Sequence, residues 1–205
     1  MSQAAKFLHM QHVYRIYDLP YQSQIIPLAA ILSDIGDAWE HEANRAKLVQ
    51  WYWSGVFGEL YGSAVDSRIA RDFIEVPVWL SGGAPPSTVT ETVFSADRLK
   101  TMRMRLSAAY KGVNVLVLRQ GAQDWYFKST VDKLEHDDMM SLDIHHIFPE
   151  DWCKKRGLKP VVFNAIVNKT PISYKANRKI GGYAPSIYLA KLHAERLVGL
   201  DDVAM

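Results

Sequence analysis

One cysteine, Cys153, in 205 residues leaves no internal disulfide framework and no cysteine-rich zinc site. Long apolar runs are missing as well. The longest uncharged stretches, 19–33 and 76–90, reach about 15 residues and are interrupted by Pro, Gln or Gly, whereas a membrane span needs about 20 apolar residues. The first twenty residues hold no basic stretch leading into an apolar one, so no secretory signal is expected and the chain reads as reduced and cytoplasmic. Acidic residues are absent between Trp152 and Ala194, while nine of the 24 basic residues fall there. The remainder of the chain therefore carries a net charge of −7 under a formal total of +2. Such asymmetry points to a polyanionic partner, although charge alone allows a solvated basic face equally well.

What is present describes an ordinary globular protein. The chain is 48% hydrophobic and 22% charged, with six Trp and ten Tyr to build a core. Its length suits one large domain or two small ones. No internal repeat or low-complexity tract occurs. Residues 38–61 show apolar spacings of three and four through Trp39, Ala43, Ala46, Val49, Trp53 and Phe57, which predicts one long helix. A shorter helix is expected over 63–80, kinked or ended by Pro77, and the SGGAPPS stretch at 81–87 must be a loop. Another amphipathic helix is expected over 94–110, with Ser95 as its cap. Residues 113–118 suit a strand or a buried helix equally. Past Gly121 the texture changes: 125–130 and 139–145 read as short strands around an acidic stretch at 132–138. A final helix is expected over 186–198, capped by Ser186 and stopped by Gly199. The fold class expected is α+β and mostly helical, with a helical body over 1–121 and a small basic α+β module over 122–205.

The chemistry concentrates in Asp143-Ile-His145-His146-Ile-Phe-Pro149, followed by Asn164, Asn168 and Asn177. Single histidines such as His9, His12, His41 and His193 read as structural residues. An adjacent pair beside a proline, with asparagines downstream in a basic segment, is harder to explain by packing. Glu135-His-Asp-Asp138 reads as an exposed acidic turn, and no GxxxxGK[ST] phosphate loop is present.

DIHHIFP followed by IVNKTPISYKANRKIG resembles the HNH nucleases of the ββα-metal superfamily. Within it the pattern is most similar to the C-terminal nuclease half of GmrSD-type, modification-dependent restriction endonucleases. The likeness is strongest over 142–192 and extends more weakly to KLVQWYWSGVFGELYG in the helical body. It implies a ββα-metal module and a DNA endonuclease of restriction or phage-defence type. His146 matches the general base; an imidazole titrates near neutral pH and can take a proton from water at little cost. His145 matches a metal ligand on the strand, and Asn177 a second on the following helix. Asn168 matches the loop residue that orients the strand and the base. The resemblance places residues 168–172 in the second strand and makes Ser173 the cap of that helix.

Most relatives carry Asp or Glu where His145 stands, so the ion implied is Mg²⁺ or Mn²⁺, with Ni²⁺ or Zn²⁺ made more suitable by the imidazole. Asp143 shares a strand face with His145 and is the fallback ligand. Adjacent strand residues face opposite sides, so both histidines reach one site only where the strand ends or bulges, as Pro149 suggests. Lys169, Lys175, Arg178 and Lys179 are expected to hold a nucleic-acid backbone. The partners expected are DNA and a separate protein half carrying nucleotide-dependent functions, with no membrane. Two other readings stay open: a non-catalytic nucleic-acid-binding or partner-docking module, and an HNH-type nuclease acting on RNA.

Overall fold

A computed structural model of the protein describes residues 2–127, 129–131 and 142–194. Over them the chain is α+β and mostly helical, with a small two-stranded antiparallel sheet. It divides into two compact units, Met1–Ser95 with Met104–Val115, and Ala96–Arg103 with Leu116–Met205. No helix among the described residues is long and apolar enough to cross a membrane. The expected acidic stretch at 132–138, the expected start of a strand at 139–141, and the end of the expected final helix with Gly199 lie outside the described residues.

The first unit holds α1 (Gln3–Met10), α2 (Ile25–Ile35), α3 (Glu42–Phe57), α4 (Val65–Leu80) and α5 (Ser87–Thr90). Ser2 Oγ accepts from the Ala5 N–H and starts α1. Phe7, Leu28, Ile31, Leu32, Trp39, Trp51 and Tyr52 are buried together in its core. Phe7 meets Trp39 and Tyr52 edge-on, with ring centroids 6.3 and 5.7 Å apart. Burying a side chain of this size contributes about 1.5–3 kcal/mol.

The long helix expected from residue 38 begins only at Glu42, after a 3₁₀ turn at Gly36–Glu40. Its buried face is Leu48, Trp51, Tyr52, Gly55 and Val56, while Trp53 and Phe57 are only half-buried. Apolar residues surround the helix almost completely here, so spacing alone does not choose the inward face. Gly55 shows what does. A Cβ there would stand 2.5 Å from Nε2 of Gln24, which donates to the Tyr52 carbonyl at 3.0 Å. Pro77 neither ends nor shortens α4, which runs on to Leu80. So near the C-terminus it removes a single backbone hydrogen bond.

The helix expected over 94–110 does not form. The chain makes only α6 (Arg98–Thr101), leaves helical geometry at Met102, and re-enters at α7 (Ala108–Arg119). A tertiary bond explains the break: the buried Met102 offers its carbonyl to the Ile166 N–H at 2.8 Å. Residues 113–118, undecided in sequence, are helical within α7.

In the second unit β1 (Leu142–His146) pairs antiparallel with β2 (Lys169–Ser173), in a register from Leu142 opposite Ser173 to His146 opposite Lys169. The connection carries α8 (Glu150–Lys155), α9 (Pro160–Phe163) and a 3₁₀ turn at Ile166–Asn168. After β2 come α10 (Tyr174–Ile180) and α11 (Pro185–Ala194). Ser173 Oγ accepts from the Ala176 N–H at 3.1 Å and caps α10 as its sequence suggested. Ile172, Ala176, Ile180, Tyr188 and Leu192 form a small buried core. Ser186 does not cap α11: the Ala184 carbonyl takes the first helical N–H groups, and Ser186 lies inside the helix.

Asp124 replaces the strand expected over 125–130 with a turn. Its buried carboxylate accepts from the N–H groups of Tyr126 and Phe127, both at 2.8 Å. It also accepts from the Ser173 N–H at 2.6 Å and the Ser173 hydroxyl at 3.1 Å. One side chain thus ties this turn to the junction of β2 and α10. Among the described residues of the expected strand, an isolated bridge between Gln123 and Thr130 remains.

Candidate functional site

The site grows from the two faces of β1. Asp143 and His145 share one face, and the junction of β2 with α10 brings Asn177 to it. His145 Nδ1 and Asn177 Oδ1 are 2.7 Å apart, and Asn177 Nδ2 donates to Asp143 Oδ2 at 2.9 Å. With its nitrogen committed to Asp143, the Asn177 amide presents its oxygen to His145, so the imidazole proton sits on Nδ1. His145 is only 6% exposed, and its Nε2 is buried with no hydrogen-bond partner. The Trp125 and Tyr188 rings approach it edge-on at 6.1 and 6.4 Å and stack on each other at 5.7 Å. Burial lowers the His145 pKa from its ordinary value, and the neighbouring His146 and Lys169 act in the same direction. The bond from Asn177 and the charge of Asp143 pull the other way without reversing the shift. The ring is therefore held neutral, the form that can donate a lone pair to a metal.

His146, at the end of β1, has different partners. Its Nε2 lies 2.6 Å from Lys169 Nζ and 2.9 Å from Asn164 Oδ1, and its ring meets Phe163 edge-on at 6.0 Å. The register runs unbroken through His146 and Lys169, so no bulge turns the two rings to one side. The structure brings Asp143, His145 and Asn177 together, and sets His146 with Asn164 and Lys169. Strand alternation is the reason.

Asn168 fastens the turn that follows. Its Oδ1 accepts from the Phe148 N–H at 2.8 Å, and its Nδ2 donates to the carbonyls of Phe148 and Phe163 at 3.0 and 2.9 Å. The Ile147 N–H reaches the Asn168 carbonyl at 3.0 Å, and the Tyr188 hydroxyl donates to the Ile147 carbonyl at 2.7 Å. Burial raises the Tyr188 pKa to about 12, so this hydroxyl stays a donor across the ordinary pH range.

The basic residues of α10 lie over aromatic rings: Lys175 over Phe127, Arg178 over Tyr174 and Lys179 over Tyr126, at 5.4, 4.7 and 5.9 Å from the ring centroids. Lys175 and Arg178 are exposed, whereas Lys169 is half-buried against His146.

Among the described residues no three His, Cys, Asp or Glu side chains gather to hold a metal ion. The set on the Asp143 face is smaller, one carboxylate, one imidazole and one amide, and its mixed oxygen and nitrogen donors suit a divalent ion. Two ligands about 2.1 Å from one ion and at right angles stand about 3 Å apart. The 2.7 Å between His145 Nδ1 and Asn177 Oδ1 is a few tenths short of that. The residues fit an ion after a small spreading and a shift of the ring proton of His145 from Nδ1 to Nε2.

Sequence reasoning left three contributors without a role: Asn164, Asp124 and Tyr188. Asn164 stands in the same asparagine series as Asn168 and Asn177, five residues before Lys169, and that spacing was its only signal. Asp124 precedes three aromatic residues in a form that suits a turn-making aspartate. Nothing in the sequence points Tyr188 at the Ile147 carbonyl.

No protein-family model matches the chain, and no solved structure matches it. The chain is 31% identical over 151 residues to an uncharacterized protein of Methanocaldococcus jannaschii, a match covering 71% of this chain and 25% of that protein. It therefore spans about a quarter of the length of the curated relative it matches.

Proposed function

We propose that the protein is a metal-dependent HNH endonuclease that hydrolyses DNA phosphodiester bonds and serves in restriction or phage defence. The observation that supports this most is the three-way contact of Asp143, Asn177 and His145, where two adjacent strands hand over to a capped helix. Packing needs do not account for it, since it leaves His145 Nε2 buried and unpaired. His145, Asn177 and Asp143 would hold a divalent ion. When bound, such an ion stabilises charge on a scissile phosphate and its leaving oxygen.

In this reading His146 takes the proton from the attacking water at Nε2, the nitrogen that faces Lys169 and Asn164. Because it stands on the other face of β1 from Asp143 and His145, the scissile phosphate must lie at the end of the strand, where both faces can be reached. Asn168 keeps that ring in place by clamping the backbone at Phe148. Lys175 and Arg178, on the exposed side of α10, grip phosphates on either side of the scissile bond and bring affinity without sequence choice.

Plasmid nicking with added Mg²⁺ or Mn²⁺ tests the reading. His146→Ala should cut the rate by about 10²–10⁴-fold, the usual worth of a positioned acid–base group, with the melting curve unchanged. Cleavage that survives the substitution, or a wild-type protein that cuts no nucleic acid, overturns the proposal. Preference for RNA under the same conditions would move the substrate and keep the chemistry.

A further inference from the structure

His146 Nε2, the nitrogen that must accept a proton in the proposed reaction, is already covered. Lys169 Nζ stands 2.6 Å from it and 3.3 Å from Asn164 Oδ1, while that amide oxygen lies 2.9 Å from the same ring nitrogen. An ammonium has only protons to give, and an amide oxygen has only lone pairs. With Lys169 protonated, Nε2 can only accept from it, which assigns the His146 ring proton to Nδ1, 3.5 Å from the same ammonium; Nε2 and the Asn164 oxygen are then two acceptors sharing one donor. Lys169 sits directly across the strand pair from His146, so the backbone register itself aims one side chain at the other.

We propose that Lys169 is a positioning residue that caps His146 at rest, and that a substrate phosphate next to the scissile bond draws the ammonium away and uncovers the lone pair. The proposal rests on the nuclease reading and adds a requirement to it: the scissile diester must have phosphate neighbours, as in a polynucleotide, for the base to be uncovered. A phosphate oxygen outbids a neutral imidazole for the ammonium, because its negative charge adds Coulomb attraction to the hydrogen bond. Lysine suits the exchange, being a compact charge on a flexible four-carbon stem. Both side chains are half-buried, so the ammonium can swing towards solvent without leaving a sealed interior. Asn164 holds the ammonium at the shared position until a stronger acceptor arrives. No covalent bond changes in the exchange: one N–H donor moves from nitrogen to phosphate oxygen, and Nε2 is left able to take a proton from water.

Two measurements test it. The first compares wild type and Lys169→Met on plasmid DNA and on bis(4-nitrophenyl) phosphate, a diester without phosphate neighbours, both with Mn²⁺. On the small diester Lys169→Met should raise kcat by about fivefold, the factor that one hydrogen bond of ordinary net strength holds back. On plasmid it should raise KM. A merely structural lysine would lower kcat on both substrates, and an unchanged or lower kcat on the small diester overturns the proposal. The second measurement follows the ¹⁵N resonances of the histidine rings in metal-free wild-type protein. Adding a short phosphorothioate oligonucleotide should shift His146 Nε2 away from its capped position, and no shift overturns the proposal even where the variant fails to fold. Should wild type cut neither substrate, the nuclease reading falls, and the ring-nitrogen spectrum alone decides the contact between Lys169 and His146.

Discussion

Trp51 and Asn168 are both nearly removed from solvent, yet they stabilise their surroundings by different means. Trp51, in the helical unit, is 0% exposed. What it contributes is apolar volume among Phe7, Trp39, Tyr52 and their neighbours. Asn168, 8% exposed, sits in the smaller unit and contributes three hydrogen bonds to backbone groups that have no strand or helix to satisfy them. The same contrast holds across the two units. One has an extensive aromatic and aliphatic core, whereas the cluster of Ile172, Ala176, Ile180, Tyr188 and Leu192 in the other is smaller among the described residues, and that unit relies on Asp124, Asn168, Ser173 and Tyr188 to fasten turns. A small unit cannot bury enough apolar surface to hold long loops, so directed hydrogen bonds do that work. Those bonds also place His145 and His146.

The contrast can be broken from either side. The largest effect expected on stability is for Trp51→Ala, a loss of about 4 kcal/mol from lost contacts and the cavity left behind. Urea unfolding measures it, and hydrogen exchange should accelerate at Leu48 and Val56 more than at Ile172. A loss below about 1 kcal/mol would mean that the aromatic cluster is not what holds the helical unit. Asp124→Ala should cost about 2–3 kcal/mol, because the N–H groups of Tyr126, Phe127 and Ser173 lose their acceptor together. Here exchange should accelerate first at Ile172 and Ala176, with the helical unit unaffected. Uniform acceleration across both units would remove the distinction drawn between them.

The smallest effect concerns the one buried carboxylate of the helical core. Asp72 is fully buried and accepts from the Tyr61 and Thr88 hydroxyls. Burial raises its pKa above the ordinary value despite those bonds and the nearby Arg68 charge. A raised folded-state pKa means the native state binds the extra proton more tightly. Its contribution to stability is thus complete below about pH 4, the unfolded value, and is lost as pH rises through the folded value. Asp72→Asn should remove this decline, so the stability difference between wild type and variant should slope with pH in that window and flatten above it. A difference that stays level from pH 4 upward would place the carboxylate in a less costly environment than its burial implies.

How far the sequence could be read follows the same division. In the helical body, helices were legible where apolar residues recurred on one face, as in α4. They were misplaced where such residues encircled the helix, as in α3, or where a distant partner intervened, as at Met102. In the smaller unit the Ser173 cap, the helix after it and the nearness of Asn177 to His145 were expected only from the resemblance to HNH nucleases, since nothing local tells His145 which residue 32 positions on will meet it. The partners of His146 were not expected at all. They depend on which residue of β2 stands opposite it, and a shift of one position would put another side chain in the place of Lys169.

By itself, then, the sequence determined local matters: the mostly helical α+β character and the separation of acidic and basic charge. Each follows from residues a few positions apart. Tertiary structure alone decided which face of α3 turned inward, how Asp124 seized the start of α10, and that His146 met an ammonium instead of joining His145. Those outcomes rest on hydrogen bonds and register between segments far apart in the chain, where spacing along one segment carries no information about what stands across from it.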